Sequence, residues 1–260
     1  MLILLPPSEG KHAADHGEPF SLDSLSFPGL GPERGHVLAA LAEASSGEDA
    51  HAVLGVGESL AHEIARNRRL TELPAAPAHT VYTGVLYEAL GYSGLTAPQR
   101  RKADASIVVV SALWGAVGFA DRIPAYRLSM SVKLPGIGGL PAWWKPRLTP
   151  VLDERSGDGL VVDCRSSSYA AAYAPPPART VAVSVVQERG GARKVVSHFA
   201  KHTRGELARH LLTRPGRRPG TPHAVLTAAR EKWRAELVPA TARKPHQLVV
   251  VLPEDHSFSV

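Results

Sequence analysis

Short apolar runs that end abruptly in polar residues constrain the fold of this chain more than any other feature of its sequence. Leu2–Leu5, Ile107–Val110 and Leu160–Val162 are too short for helices and are typical of buried strands. Thr180–Glu188 and Gln247–Leu252 also have the pattern of strands, and helical patterns separate several of these runs. A length of 260 residues suits one domain with a substantial core.

The polar residues that follow these runs are the first candidates for a functional site. In open sheets, ligands bind outside the carboxyl ends of the strands, so these ends would form one cleft if the strands share a sheet. A fourth strand is predicted over Lys194–Phe199. The residues at the four ends are Ser8 and Lys11, then Ser111 and Gly115, then Asp163, Arg165, Ser166 and Tyr169, and finally His198, Lys201 and Arg204.

The chemistry of these residues favours the binding of an anion. Lysine, arginine, tyrosine and serine side chains donate hydrogen bonds to phosphate and carboxylate groups, and no pair of carboxylates suited to acid–base hydrolysis stands among them. If the cleft is catalytic, a buried lysine could have a lowered pKa and act as a base or nucleophile. The candidate catalytic residues are Lys11, Tyr87, Arg127, Ser166, Tyr169 and Lys201.

A glycine-rich turn between two predicted short helices gives a second candidate site. The turn Gly55-Val56-Gly57 and its flanking helices, about residues 46–69, resemble a helix-hairpin-helix DNA-binding unit. Glycines let backbone N–H groups approach a phosphate beside the positive end of the second helix, and Arg66 and Arg68 could reach neighbouring phosphates. The alternative is an ordinary helix–turn–helix connection capped by glycine.

The distribution of charge also bears on the partner of this protein. The formal net charge is +6, but residues 178–244 hold 15 Lys and Arg against 4 Glu, a local balance of 15 − 4 = +11. A basic third on a mildly acidic remainder is typical of a surface that faces a polyanion such as nucleic acid. The alternative is a high arginine content spread over solvated helices.

Other classes of protein are disfavoured by what the sequence lacks. Cys164 is the only cysteine, so an internal disulfide is excluded, and 12 histidines show no tight ligand spacing. No apolar run approaches the length of a membrane span, and the short run at the N-terminus has no basic segment before it. We therefore expect a soluble, cytoplasmic, monomeric protein without a metal or a cofactor.

Several motifs in one order resemble the YaaA family of peroxide-stress proteins along almost the whole chain. They are Leu2–Lys11, Tyr82-Thr83-Gly84-x-x-Tyr87, Ser111-Ala112-Leu113-Trp114-Gly115, Pro124-x-Tyr126-Arg127-Leu128-x-Met130, Val162-Asp163 with Ser166 and Tyr169, and Phe199-Ala200-Lys201-x-x-Arg204-Gly205. The resemblance implies an α/β mixed (α+β) fold, a single compact domain over residues 1–260 with a central mixed sheet, surrounding helices and a helix-hairpin-helix element.

The resemblance also implies DNA binding without strong sequence preference and a role in limiting oxidative damage under hydrogen peroxide, linked to intracellular iron. The residues expected to bind nucleic acid or another anion are Lys11, Gly55, Gly57, Arg66, Arg68, Arg127, Arg165, Lys201 and Arg204. The alternative hypothesis is an enzyme that acts on a small anionic metabolite or nucleotide in the polar cleft at the strand ends.

Overall fold

Eight strands form one mixed β-sheet in the computed structural model, which describes residues 1–255. The strands of the described range are β1 (Leu2–Leu5), β2 (Ala76–Pro77), β3 (Ile107–Ser111), β4 (Gly115–Gly118), β5 (Arg122–Ile123), β6 (Lys133–Leu134), β7 (Gly138–Gly139), β8 (Val161–Asp163), β9 (Thr180–Arg189), β10 (Ala192–Lys194), β11 (Arg234–Val238) and β12 (His246–Leu252). The sheet has the order β11-β12-β9-β8-β1-β3-β4, with β10 paired to β9 as well. The remaining strands form two small ribbons, β2-β5 and β6-β7.

Ten α-helices surround the sheet in the described range. They are α1 (Gly31–Ala44), α2 (Ala50–Leu54), α3 (Ala61–Asn67), α4 (Ala78–Val81), α5 (Val85–Leu90), α6 (Ala97–Ser106), α7 (Leu140–Ser156), α8 (Ser167–Ala170), α9 (Ser197–Thr213) and α10 (Pro222–Arg230). Within residues 1–255, no helix is both long enough and apolar enough to cross a bilayer. The predicted mixed α/β architecture is confirmed, whereas the single domain over residues 1–260 stays a prediction, since residues 256–260 lie outside the described range.

The three shortest predicted strands are neighbours at the centre of the sheet. β1 pairs in parallel with β3 on one side and with β8 on the other, and β8 pairs in parallel with β9. The register places Leu5 opposite Val109 and Leu4 opposite Asp163, so the carboxyl ends of these strands lie at one edge. All residues of β1, β3 and β8 are buried, as expected for short apolar runs inside a parallel sheet.

A buried arginine holds the turn between β3 and β4 in the core. Arg34 of α1 donates hydrogen bonds from Nε to the Trp114 carbonyl at 2.9 Å and from Nη2 to the Ala116 and Ser26 carbonyls at 2.6 and 2.7 Å. Burial lowers the pKa of Arg34 to about 10, and the Asp121 carboxylate opposes that shift. Its three bonds offset part of the cost of burying the charge.

The predicted strand Lys194–Phe199 is wrong. β10 ends at Lys194, and the chain is helical from Ser197 onward, so Lys201 and Arg204 lie on α9 rather than at the end of a strand. The reason is that β10 is an exposed arm paired only with β9, whereas Ala200, Leu207 and Leu211 are buried at helical spacing.

The sequence pattern also predicts a helix over Ala224–Leu237, and this prediction is wrong in its second half. α10 ends at Arg230, and Arg234–Val238 forms the antiparallel strand β11 against β12. Pairing with a neighbouring strand outweighs the helical pattern there.

Helix α9 lies against helix α5 with almost no space between their backbones. A Cβ atom added at Gly205 would lie 2.1 Å from the Leu86 carbonyl oxygen and 2.9 Å from the Ala89 Cβ. Only glycine therefore allows this approach. The contact brings Lys201 and Arg204 of α9 to the same cavity that Val85, Leu86 and Tyr87 of α5 line.

Candidate anion-binding cleft

A cavity of about 290 Å³ lies at the carboxyl edge of β1 and β8, between α5, α8 and α9. Its lining residues are Pro6, Pro7, Ser8, Glu9, Gly10, Thr83, Gly84, Val85, Leu86, Tyr87, Ser166, Tyr169, Lys201 and Arg204. Its volume is at the lower end of the range of small-molecule sites, about 300–1,000 Å³. Five predicted site residues, Tyr87, Ser166, Tyr169, Lys201 and Arg204, therefore meet in one cavity. We call it the sheet-edge cavity.

The loop after β1 forms one wall of the sheet-edge cavity. The Thr83 backbone N–H donates a hydrogen bond to the Ser8 Oγ at 2.9 Å, and the Thr83 hydroxyl donates one to the Gly10 carbonyl at 3.1 Å. The Tyr87 hydroxyl donates one to the Pro6 carbonyl at 2.7 Å. Burial raises the pKa of Tyr87, so its hydroxyl keeps its proton and positions this wall.

Lys11 lies directly behind that wall. Its Nζ donates hydrogen bonds to the Ser8 carbonyl at 2.7 Å and the Glu9 carbonyl at 3.3 Å, and it lies 4.3 Å from the centre of the Tyr126 ring. The pKa of Lys11 is lowered to about 8, mainly by burial and to a smaller extent by Arg127, while the Glu9 and Glu63 carboxylates oppose the shift. A fraction of this amine is therefore neutral near physiological pH.

The lowered pKa of Lys11 predicts a specific dependence of stability on pH. Between about pH 8 and pH 10.5 the folded chain releases this proton while the unfolded chain retains it, so stability from this group rises with pH. The free energy of unfolding of the wild type, relative to Lys11→Met, should therefore rise by about 1 kcal/mol from pH 7 to pH 9.5, after allowance for solvent screening. Urea denaturation of both proteins at the two pH values measures it, and a constant difference would contradict the assignment.

Arg127 contacts Glu9 of the cavity lining and bridges two carboxylates. Its Nη2 is 3.5 Å from a Glu9 carboxylate oxygen and its Nη1 is 3.5 Å from a Glu63 carboxylate oxygen. Asn67 of α3 fixes the backbone of Arg127 through two reciprocal hydrogen bonds of 2.8 Å. The Arg127 guanidinium is thus largely neutralised by its neighbours and ties α3 to the cleft.

Three hydroxyl groups form a buried chain behind Lys11. Ser111 Oγ accepts hydrogen bonds from the backbone N–H groups of Leu113 and Trp114 at 3.2 and 3.1 Å, so its own hydrogen points to the Tyr126 hydroxyl at 2.7 Å. Tyr126 then donates to the Tyr82 hydroxyl at 3.1 Å. Burial raises the pKa of Tyr82 and of Tyr126, so both stay protonated.

Arg165, which the sequence predicts to bind an anion, does not line the sheet-edge cavity and bonds to other residues of the chain. It is buried, and its Nε and Nη2 donate to the two carboxylate oxygens of Asp163 at 2.8 and 2.7 Å. It also donates to the carbonyl oxygens of Tyr169 and Tyr173. Arg165 therefore holds the turn after β8, which presents Ser166 and Tyr169 to the cavity.

The two basic residues of α9 that line the cavity, Lys201 and Arg204, differ in how many hydrogen bonds they make within the chain. The Arg204 guanidinium donates hydrogen bonds from Nε and Nη2 to the Val183 carbonyl at 3.1 and 2.9 Å, and its Nη1 has no hydrogen-bond partner within the described residues. Lys201 is exposed, and within the described chain its Nζ has no hydrogen bond or ion pair. Lys201 is thus the more adaptable cation of the sheet-edge cavity.

A comparison with models of protein families matches residues 1–234 of this chain to the model described as "Peroxide stress protein YaaA". The chain belongs to the YaaA family. The predicted family is confirmed, and the family description links the protein to the response to peroxide stress.

Curated relatives agree with membership of the YaaA family. A UPF0246 protein of Streptomyces coelicolor is 47% identical over 264 residues, which covers 98% of this chain and 100% of the relative. A UPF0246 protein of Corynebacterium efficiens is 45% identical over 83% of this chain and 86% of the relative. One of Ruegeria pomeroyi is 30% identical over 64% of this chain and 70% of the relative.

The glycine turn of this YaaA-family protein joins α2 to a single 3₁₀ turn and then to α3. Gly55 has a φ of 64°, and its N–H bonds to the Ala52 carbonyl at 3.2 Å, while the Val56 N–H bonds to the His51 carbonyl at 3.0 Å. These bonds cap α2 with glycine, as in the alternative interpretation. A helical hairpin is present, but a helix-hairpin-helix DNA-binding unit is not confirmed.

A second hollow connects the hairpin to the cleft. It has a volume of about 450 Å³ and is lined by residues 52–56, Glu9, Arg127, Ser129, Ser131, Val132 and Lys133. Glu9 lines this hollow and the sheet-edge cavity alike. The hairpin turn and the strand ends therefore form two adjoining parts of one surface.

Many arginines of the basic third bond to the protein itself. Arg209 donates to the carbonyl oxygens of Leu90 and Gly91, and Arg193 forms ion pairs with Glu188 and Glu236. Arg179, Arg214, Arg218, Arg230 and Arg234 also have hydrogen-bond partners within the chain. Net charge over residues 178–244 therefore overstates the positive charge that a ligand would meet.

The sequence interpretation missed the carboxylates of the cleft. Glu9 and Glu63 both approach Arg127, although they are 54 positions apart (63 − 9) and Glu63 lies on α3. Only the position of Glu9 between Ser8 and Lys11 could have indicated its role. In the described residues, no group of three or more His, Cys, Asp or Glu side chains could hold a metal ion.

Proposed function

We propose that this YaaA-family protein binds the backbone of DNA without strong sequence preference, as its part in the peroxide stress response. The observation that carries the proposal is the shared surface of the hairpin turn and the cleft, which meet at Glu9. A phosphate backbone that follows this surface would contact the hairpin and the strand ends together. Contacts of this kind position a duplex and read no sequence.

The position of α3 supports the proposal. Asn67 and Glu63 fix one side of α3 to Arg127, so the helix is held in a single orientation beside the cleft. Arg66 and Arg68 follow on the same helix and its C-terminal cap, partly exposed and exposed respectively. Rigid placement of cations lowers the entropy lost when they meet phosphates.

The cations available to DNA are fewer than the sequence suggested. Lys133 and Lys201 are exposed along the two hollows, and Arg66 and Arg68 extend the basic surface beyond the hairpin. A duplex is far wider than the sheet-edge cavity, so it would lie across the rim rather than enter it. We propose a cytoplasmic monomer as the form that binds DNA.

Charge reversal on α3 tests the proposal. The double variant Arg66→Glu and Arg68→Glu should weaken binding of a fluorescent duplex at least about tenfold at low salt, since each reversal replaces a phosphate contact by repulsion. The loss should be equal for duplexes of different sequence. Fluorescence anisotropy titration measures both quantities.

A matched control is available between β11 and β12, at the opposite end of the sheet from β4. Arg243→Glu with Lys244→Glu makes the same change of charge at two exposed positions outside both hollows. Binding should be reduced much less in this control. If the two double variants lost equal affinity for the duplex, the loss would be an effect of net charge alone. That result would contradict a defined DNA-binding surface.

The sheet-edge cavity favours a second candidate function, an enzyme that acts on a small anionic metabolite or nucleotide. The observation that favours it is the polar lining of the cavity, with Ser166, Tyr169 and Lys201, next to Lys11, whose pKa burial lowers to about 8. Turnover lost in Lys11→Met but kept in the α3 double variant would separate this function from DNA binding.

A further inference from the structure

We propose that the sheet-edge cavity binds a small molecule with a phosphate monoester head and a flat apolar body. The inference concerns the same cavity as the second candidate function and rests on that function only for the presence of a ligand there. It requires neither catalysis nor DNA binding. It follows from the charge, the wall chemistry and the size of the cavity.

The charge around the cavity favours a dianionic head group. Lys201, Arg204 and Glu9 line the cavity, and Lys11, Arg127 and Glu63 lie behind the Glu9 wall. These four cations and two carboxylates give a balance of 4 − 2 = +2 when Lys11 is protonated. Asp163 and Arg165 beneath the cavity neutralise each other. A phosphate monoester carries close to two negative charges at neutral pH and would balance this excess.

The donors for such a head come from α9 and from the N-cap of α8. Lys201 of α9 is exposed. Ser166 is the N-cap residue of α8, but its hydroxyl makes no capping hydrogen bond and lies 3.3 Å from the Ser168 hydroxyl. Arg204 has bonded only Nε and Nη2 to Val183. A lysine, an arginine and a hydroxyl are the groups that proteins commonly use for phosphate.

The remaining wall is apolar and partly aromatic. The rings of Tyr87 and Tyr169 line the cavity with Pro6, Val85 and Leu86. The Tyr87 hydroxyl is already bonded to the Pro6 carbonyl, so the ring presents an apolar face to a ligand. Flat groups pack well against aromatic rings, and a volume of about 290 Å³ admits a molecule of nucleotide size rather than a polymer.

Three probes separate the contributions of the head and the body. Adenosine 5′-monophosphate has both parts, inorganic phosphate has the head alone, and adenosine has the body alone. Isothermal titration of the full chain should give an affinity for the monophosphate at least about tenfold higher than for either part. Binding should stabilise the fold in thermal unfolding, because ligand binds only the native state.

Variants of the lining test the location. Lys201 is exposed, so the Lys201→Gln variant should keep the fold. Its affinity for the monophosphate should be about tenfold lower than that of the wild type, whereas Lys201→Arg should retain most of the affinity. Ser166→Leu, an independent change at the N-cap of α8, should also lower the affinity for the monophosphate. The α3 double variant Arg66→Glu and Arg68→Glu should leave the affinity unchanged, so failure of DNA binding and failure of this proposal are distinguishable.

Three results would overturn the proposal. One is the absence of monophosphate binding at millimolar concentration. Another is equal affinity for the monophosphate and for inorganic phosphate. The third is an affinity that Lys201→Gln and Ser166→Leu leave unchanged or that the α3 double variant lowers equally, which would place the phosphate on the hairpin surface.

Discussion

Replacing Gly205 by alanine is expected to lower the free energy of unfolding by about 3 kcal/mol, although alanine is the better helix former. The added Cβ would lie 2.1 Å from the Leu86 carbonyl oxygen, a backbone atom that cannot move without displacing α5. Helices α5 and α9 would have to separate. Because both helices line the sheet-edge cavity, binding there should fall together with stability.

A matched substitution isolates the cause of this loss. Gly35 lies inside α1, and a Cβ added there meets no atom within 4 Å. Gly35→Ala should therefore raise the free energy of unfolding by up to about 1 kcal/mol through helix propensity alone. Urea denaturation compares the two variants, and a Gly205→Ala protein as stable as Gly35→Ala would contradict the close packing of α5 on α9.

The centre of the sheet was predictable because short apolar runs have few alternatives. Leu2–Leu5 and Ile107–Ser111 are fully buried parallel neighbours, as their composition and abrupt ends indicated. The margin of the sheet was less predictable. Lys194–Phe199 has the β-branched pattern of a strand, but only its first residue finds a partner, and the helix that follows packs on α5 instead.

The sequence predicted which residues line the candidate site better than it predicted what each of them does. Tyr87, Ser166, Tyr169, Lys201 and Arg204 do line one cavity. Their individual roles depend on contacts that are distant in the sequence. Arg165 looks like a ligand residue by its place after a strand, yet its pairing with Asp163 two residues earlier buries it completely.

The number of arginines in the sequence also does not show how much positive charge is available to a ligand. An arginine can bind a phosphate or a backbone carbonyl of its own chain, and the sequence does not distinguish the two. Arg209 and Arg34 bond to carbonyl oxygens inside the protein. The positive charge that reaches the surface is therefore a property of the packing, and it is concentrated on a few side chains.

Binding of DNA is expected to depend steeply on salt, and this is the second large effect. Each phosphate that a cation neutralises releases condensed counterions, which lowers the affinity as salt rises. Four cations along the proposed surface are available to phosphates: Arg68, Lys133 and Lys201, which are exposed, and Arg66, which is partly exposed. With four contacts, the slope of log K against log salt should be about −3.6, a loss of about 150-fold between 50 and 200 mM.

The salt titration also tests whether the hairpin and the cleft act together. The α3 double variant should have a slope less negative by about 2 units, and Lys201→Gln by about 1 unit, if each side chain neutralises one phosphate. The control Arg243→Glu with Lys244→Glu should retain the slope of the wild type.

The most direct measurement of the central claim is therefore the affinity of the full chain for a duplex over a series of salt concentrations. One surface that joins the hairpin to the cleft predicts a slope of about −3.6 that both the α3 variant and Lys201→Gln reduce. No binding at low salt, or a slope near zero that neither variant changes, would contradict the claim that this surface binds nucleic acid.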